Sequence, residues 1–245
     1  MTASPAPLRC LLLQLRDADD RMSDHELVSF ERCLYGQPAR IEVFDLLDRP
    51  LVPADLAGVE LILLGGSGSY SAASGGPWFE TAVRSLRVAH ASSIPTFASC
   101  WGFQGMAAAM GGVVVNDRSR AEIGTYEVEL TDAGRADAVF GALPSRFKAQ
   151  MGHEDVVETL PPGTTLLASS PLVVNQAYRF DDRPVYCTQF HPELDADGMR
   201  SRLSAYPHYV EEVVGAPYEE VAARFEETTA ANGLLQRFVE LCVVR

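Results

Sequence analysis

The sequence predicts an α/β fold built on an open, mostly parallel sheet flanked by helices, and three observations predict it. Apolar runs of strand length alternate with longer amphipathic stretches through the first half of the chain, the pattern of strands joined by crossover helices. Those runs are continuous in apolar character, as strands buried on both faces are. The second half carries alternating runs and a hairpin signal, so a smaller antiparallel portion is expected beside the parallel one.

The first strand is expected at Arg9 to Leu15. A helix from about Asp24 to Leu34 follows, because Ser23 with Glu26 three residues later reads as a capping box and Gly36 supplies a stop. Strands come next at Ile41 to Leu47 and Val59 to Leu64. After Gly65-Gly66, the stretch Ser67 to Gly76 is too rich in Gly and Ser to be a regular element, and Pro77 can open a helix reaching to about His90. Such a loop at the carboxyl end of a strand lies where open α/β sheets bind ligands. Ile94 to Ser99 reads as a strand and Trp101 to Met110 as a helix closed by Gly111-Gly112, which leaves Cys100 on the turn between them. Further strands are expected at Gly124 to Leu130, Arg146 to Met151, Thr165 to Ala168, Val173 to Phe180 and Val185 to Phe190, the last two joined by Asp181-Asp182-Arg183-Pro184. The tail from Asp195 to Arg245 reads as helical with breaks at Pro207 and Pro217, which divides the chain into a catalytic unit over 1–194 and a helical C-terminal extension over 195–245 packed on it.

Length and composition bound the function. A chain of 245 residues, 47% hydrophobic and 22% charged, can bury a substantial core without metal or disulfide staples. A net charge of −13 gives no basic field for a phosphate backbone, so nucleic acid is not an expected partner. Met1 to Pro7 lacks a basic segment, and the apolar run Cys10 to Leu13 is too short for a signal peptide or a membrane span; a cytoplasmic location is the default expectation. Cys10, Cys33, Cys100, Cys187 and Cys242 form no C-x-x-C pair, so neither zinc nor dithiol redox chemistry is indicated and most are expected to be reduced and structural. No metal site and no organic cofactor are expected. H-E-x-x-H and Walker A motifs are missing, and the Gly-rich loop does not complete G-x-G-x-x-G.

Cys100 is set apart by its place. A strand running straight into a helix through one reactive residue makes a nucleophile elbow, which lifts the side chain above the sheet and aims it at a helix N-terminus. The helix dipole stabilises a thiolate, and the N–H of Trp101 can donate to an oxyanion formed on a substrate carbonyl. Ala98, Ser99 and Gly102 are small enough for the tight turn. On this local pattern alone a buried thiol at a strand end is an equal reading. The second piece is Gln189-Phe190-His191-Pro192-Glu193 at the exit of a late strand, where an imidazole can face a thiol while the carboxylate two residues on holds its other nitrogen. Taken singly His191 reads as a surface histidine; with Cys100 it completes a set for nucleophilic acyl transfer.

Ala98-Ser99-Cys100-Trp101-Gly102-Phe103-Gln104, followed later by Phe190-His191-Pro192-Glu193, closely resembles the class I glutamine amidotransferases, whose pattern is G-x-C-x-G-x-Q and then F-H-P-E. The resemblance covers roughly Leu11 to Leu194 and is nearest to the glutaminase domain of GMP synthase. It implies a flavodoxin-like fold and a mechanism in which Cys100 is the nucleophile, His191 the general base and later acid, and Glu193 the carboxylate that orients it. It further implies that Gly65-Gly66-Ser67 is the oxyanion loop, with the N–H groups of Gly66 and Trp101 forming the hole. Gln104 takes a substrate-binding position, and Met151-Gly152-His153-Glu154-Asp155 resembles the M-S-H-G-D segment lining the glutamine pocket, so Gly152 and His153 are implied there.

Departures accompany the matches. Ser67 replaces the loop proline, Ala98 the glycine before the elbow, and Gly152 and Glu154 alter the pocket segment, which bears on the amide accepted. The residues after Glu193 carry no nucleotide-binding motif. The expected substrate is therefore glutamine, with ammonia passed to a separate synthase subunit, or another γ-glutamyl compound cleaved by an independent hydrolase or peptidase. A binding or regulatory protein on the same fold is the third possibility. Tyr70 and Trp78 beside the Gly-rich loop are read either as a lid or as packing, and His25, His90, His208 and the pairs Asp19-Asp20 and Glu211-Glu212 as solvated side chains. The sequence predicts no oligomeric state.

Overall fold

A computed structural model describes residues 6–243. The sequence readings on Met1 to Pro5 and on the last two residues of the predicted tail lie outside the described residues.

Strand β1 (Leu8–Gln14) leads to helix α1 (Met22–Cys33), β2 (Ala39–Asp45), β3 (Leu61–Leu64), α2 (Phe79–Ala91), β4 (Thr96–Ser99) and α3 (Trp101–Ala109). Then come β5 (Val113–Asn116), β6 (Glu122–Leu130), α4 (Asp132–Ala136), β7 (Arg146–His153), β8 (Asp155–Thr159), β9 (Thr164–Ser169), β10 (Ala177–Phe180) and β11 (Val185–Thr188). The chain ends in α5 (Ala196–Ala205), a π-helical turn over Tyr209–Val214, and α6 (Tyr218–Ala222), α7 (Thr229–Asn232) and α8 (Leu234–Cys242).

Nine strands form one mixed sheet in the order β2-β1-β3-β4-β11-β10-β9-β6-β7. The first five are mutually parallel and the remaining pairings are antiparallel, which is the predicted division. The period of two along each central strand feeds two cores. Leu8, Cys10 and Leu12 of β1 and Leu61 and Leu63 of β3 join Phe30 of α1 and Leu235 and Phe238 of α8 on one face. Leu11, Leu13, Ile62 and Leu64 face the other way, against Leu86 of α2 and Phe103 and Met106 of α3. Each such side chain taken from water stabilises the fold by roughly 1.5–3 kcal/mol before chain entropy is counted. A third apolar cluster unites Ile123 of β6 with Met199 and Leu203 of α5, Val221 of α6 and Phe225, so the C-terminal segment is anchored beside the carboxyl edge of the sheet.

Several sequence readings change. Helix α1 begins at Met22 with Arg21 as its N-cap and no capping side chain, so Ser23 and Glu26 do not form a capping box. Glu26 is turned fully inward instead. The predicted strand at Val173 begins only at Ala177, because Ser170 and Val173 close a turn on each other. A separate two-stranded sheet, β5 with β8, has no counterpart among the predicted elements. His90, read as solvated, is buried against the Phe180 ring at 4.4 Å with Arg183 beside it, and Asp20 is half-buried against Arg16. Pro207 and Pro217 do interrupt the tail where expected.

Parallel pairing places the ends of β3, β4 and β11 side by side. Gly65-Gly66, Cys100 and the segment leading to His191 therefore leave the sheet together, at the edge where ligands bind such folds.

Candidate active site

The thiol of Cys100 sits on a backbone that only a tight strand-to-helix turn explains. Cys100 has φ +52° and ψ −106°, a conformation a non-glycine residue adopts at a cost of order 1–3 kcal/mol. Neighbouring strands hold it there: its N–H donates to the Thr188 carbonyl at 2.8 Å, and the Gly102 N–H donates to the Gly65 carbonyl at 3.0 Å. A methyl at Gly102 would lie 2.6 Å from the Leu64 Cβ, so the turn can pack this closely only with glycine there. Being the first residue of α3, Trp101 has an N–H without an intrahelical acceptor.

His191 is buried, with its N–H fixed to the Gln150 carbonyl at 3.0 Å and its Nδ1 at 2.6 Å from Glu193 Oε1. That contact places the ring proton on Nδ1, as the ionised carboxylate can only accept. Burial opposes the charged imidazolium, but the facing Cys100 and Glu193 outweigh it and push His191 up to about 9. Glu193 is held below the usual carboxylate range although burial works against it, because His191 and Arg202 favour its ionised form. Elsewhere burial pushes the Cys33 and Cys187 thiols up to about 12 and the Cys242 thiol to about 11.

Gly66 closes the group. A methyl there would stand 2.9 Å from His191 Cε1 and 3.5 Å from the Cys100 Cβ, so its backbone lies directly over the thiol–imidazole pair. Its carbonyl accepts from Arg16 Nη2 at 2.9 Å, and its N–H meets no backbone acceptor among the described residues. Cys100, His191, Glu193, Gly66 and Trp101 are thus brought together.

Two cavities flank Cys100. One, polar, is lined by Ser67 to Ser71, Gln104, Gly152, His153, Asp155 and Tyr209. Gln104 Nε2 donates to the Asp155 carbonyl at 3.1 Å and to Gln189 Oε1 at 3.2 Å, and the Gly152 carbonyl lies 3.8 Å from Cys100 Sγ. His153 reaches this cavity, yet its two nitrogens are committed to Glu122 Oε2 at 3.0 Å and the Asp155 carbonyl at 3.1 Å. Asp155 ties down the Gly-rich loop by accepting from Ser71 Oγ at 2.8 Å and the Ala73 N–H at 3.1 Å, and Tyr70 lines the cavity while Trp78 packs on Tyr70 and Trp101. The other cavity lies on the His191 side, with Ile123, Met199, Leu203 and Phe225 as apolar walls. Tyr209 belongs to both.

Sequence reasoning missed the charged layer beneath the site. Arg16 donates to Glu26 at 2.9 and 3.3 Å, to Asp20 at 3.0 Å and to the Tyr206 hydroxyl at 2.5 Å, and Arg202 stands between Glu26 and Glu193 at 3.5 and 3.6 Å. Among the described residues, no group of three or more His, Cys, Asp and Glu side chains converges as metal ligands, and no helix is long and apolar enough to cross a membrane.

Comparisons with known proteins bear on the family and the fold. The family model described as "Glutamine amidotransferase class-I" matches residues 32–204. A glutamine-hydrolyzing GMP synthase subunit of Methanocaldococcus jannaschii is 33% identical over 121 residues, 49% of this chain and 62% of the relative. The glutamine-hydrolyzing GMP synthase of Streptomyces avermitilis is 34% identical over 124 residues, 49% of this chain and 23% of the relative, so less than two thirds of either relative is spanned. The crystal structure of a glutamine amidotransferase from Thermotoga maritima superposes with a TM-score of 0.75 at 23% identity, covering 98% of this chain and 100% of that one, a likeness of fold.

Proposed function

The chain belongs to the glutamine amidotransferase class-I family, and on that premise we propose that it hydrolyses a γ-glutamyl amide through a thioester on Cys100. The observation that carries the reading is the thiol on a strained elbow facing a buried histidine that Glu193 holds at 2.6 Å. His191 takes the thiol proton and the thiolate attacks the γ-carbonyl carbon. The negative charge that develops on oxygen is met by the N–H groups of Gly66 and Trp101, each such donor being worth roughly 3 kcal/mol of barrier. Collapse breaks the C–N bond, His191 returns the proton to the leaving nitrogen, and ammonia departs. Water, deprotonated by His191, then cleaves the thioester to glutamate and free thiol.

The polar cavity with Gln104 and Gly152 is the place for the glutamyl head, and His153 shapes it through Glu122 and Asp155. The similarity to a glutamine-hydrolyzing GMP synthase subunit supports delivery of the ammonia to a separate acceptor-activating protein. A second reading, an independent hydrolase releasing a substituted amine, is favoured by the apolar walls on the His191 side, since ammonia alone needs no apolar wall.

The test is incubation of the purified chain with L-glutamine and, separately, with γ-glutamyl peptides such as glutathione, following glutamate, ammonia and amine, with Cys100→Ala as the blank. Cys100-dependent glutamate release is expected. Equal turnover by Cys100→Ala would overturn the proposal.

A further inference from the structure

The guanidinium of Arg202 occupies a place that stability alone does not explain. Its side chain is buried on α5, where Nη1 lies 3.6 Å from Glu193 Oε1 and 3.3 Å from His191 Nδ1, and Nη2 lies 3.5 Å from Glu26 Oε1. Nε and Nη2 meet no hydrogen-bond acceptor among the described residues, so charge holds the group more than donated bonds do. A buried cation this sparsely bonded is costly, and an apolar side chain of similar volume at such a place is often no less stable. Glu26, on the far side, is itself clamped by Arg16 at 2.9 Å and by Gln14 Nε2 at 3.0 Å, and Arg16 also holds the Gly66 carbonyl at 2.9 Å. One buried chain of alternating charge, Arg16–Glu26–Arg202–Glu193, therefore joins the loop of Gly66 to the carboxylate beside His191.

We propose that Arg202 is a positioning residue of the hydrolytic centre: braced by Glu26, it holds the Glu193 carboxylate on His191 Nδ1 and sets a positive charge beside the imidazole ring. The proposal rests on the roles assigned above to Cys100, His191 and Glu193. Because Nδ1 already gives its proton to Glu193, the N–H of Arg202 facing that nitrogen is an electrostatic neighbour and not a hydrogen-bond donor to it. A cation so placed disfavours the imidazolium and eases return of the proton to the leaving nitrogen. The charged and titratable groups around the pair are Cys100 and Glu193 on the ring itself, Glu26, His25 and Cys33 from α1, Arg16 and Asp20 from the segment after β1, Tyr206 at the end of α5 and Tyr209 from the π-helical turn.

The readout is the pH–rate profile of Cys100 alkylation by iodoacetamide on the full chain, which needs no substrate. In the wild type a limb that vanishes in His191→Ala reports the thiol–imidazole pair; its absence would overturn the underlying reading of His191, not the role of Arg202 in particular. In Arg202→Met that limb is expected to move to higher pH by roughly one unit or more, since a charge within about 4–6 Å shifts a pKa by that much. Arg202→Lys restores the charge without the planar fork, so the limb should return toward its wild-type pH. Should Arg202→Met fail to fold, Arg202→Gln carries the same test with a smaller change in polarity. A folded neutral variant whose limb stays at the wild-type pH, while His191→Ala abolishes it, would overturn the proposal.

Discussion

Replacing Gly66 by alanine adds one methyl group at the point where the proposed oxyanion loop crosses the thiol and imidazole. The backbone accepts alanine there, since Gly66 is not among the residues of positive φ. The methyl is the whole perturbation. It would stand 2.9 Å from His191 Cε1, 3.4 Å from Arg202 Nη1 and 3.5 Å from the Cys100 Cβ. Carbon atoms rest at about 3.5–4.0 Å, so either the loop or the ring must retreat by roughly 0.6 Å or more. A displacement of about 1 Å at reacting groups costs on the order of a hundredfold in rate. Gly66→Ala is therefore expected to lower kcat for Cys100-dependent glutamate release by about ten- to a hundredfold. Urea unfolding should show a smaller effect, because the methyl meets a cavity on one side. A variant with kcat within about twofold of wild type would refute the placement of this loop over the reacting atoms.

Two further outcomes follow from charge and hydrogen bonding. His191 has its folded pKa raised from the ordinary value to about 9, so the stability it contributes is full below the unfolded value near 6.5 and is lost as pH rises through about 9. Glu193→Gln removes one cause of that rise; its melting temperature should fall furthest below wild type at about pH 6 and approach it at about pH 10, and a deficit independent of pH would contradict the pairing. Asp155→Ala removes the acceptor for Ser71, Ala73 and Asn116, which frees the loop lining the polar cavity. KM for the γ-glutamyl substrate should rise by about fivefold with kcat little changed, one net hydrogen bond being worth about 1 kcal/mol, and amide exchange over residues 67–76 should quicken; unchanged KM and exchange would remove Asp155 from that role.

What the sequence discloses follows from chain locality. The central strand is legible because Leu61 to Leu64, buried on both faces, leaves no polar position to break the run, whereas β2 at the sheet edge is largely exposed and interleaves Arg40, Glu42 and Asp45 with its apolar residues, against the continuous apolar run expected there. The proposed triad is legible for a related reason: Cys100 lies on a junction of two predicted elements, and His191 and Glu193 are two residues apart. The short sheet of β5 and β8 is hidden because its partners are distant in sequence and Val113 to Asn116 resembles the end of the preceding loop. The burial of His90 is hidden because an amphipathic helix shows which face is apolar but not that Phe180 and Arg183 cover its edge.

Glu26 shows why local grammar fails beneath the site. Three residues after Ser23 it fits a capping box as well as any glutamate could, and nothing within the helix disfavours that reading. The decision is made by residues far away. Arg16 comes from the segment after β1 and Arg202 from α5, and both arrive at the same buried carboxylate, where a charge without partners would cost several kcal/mol. Capping one exposed N–H is worth only about 1 kcal/mol, so the tertiary pairing wins and helix α1 starts at Met22, two residues before the predicted Asp24. The C-terminal segment follows the same logic. A methyl at Gly68 would fall 2.3 Å from the Tyr206 ring, and the Tyr206 hydroxyl donates to Asp20 at 2.6 Å while accepting from Arg16. None of these partners carries a pattern within α5 itself. Their meaning exists only once the parallel sheet has set the Gly65–Gly66 loop, Cys100 and His191 along one edge, which makes the segment after Leu194 part of the cavity wall on the His191 side.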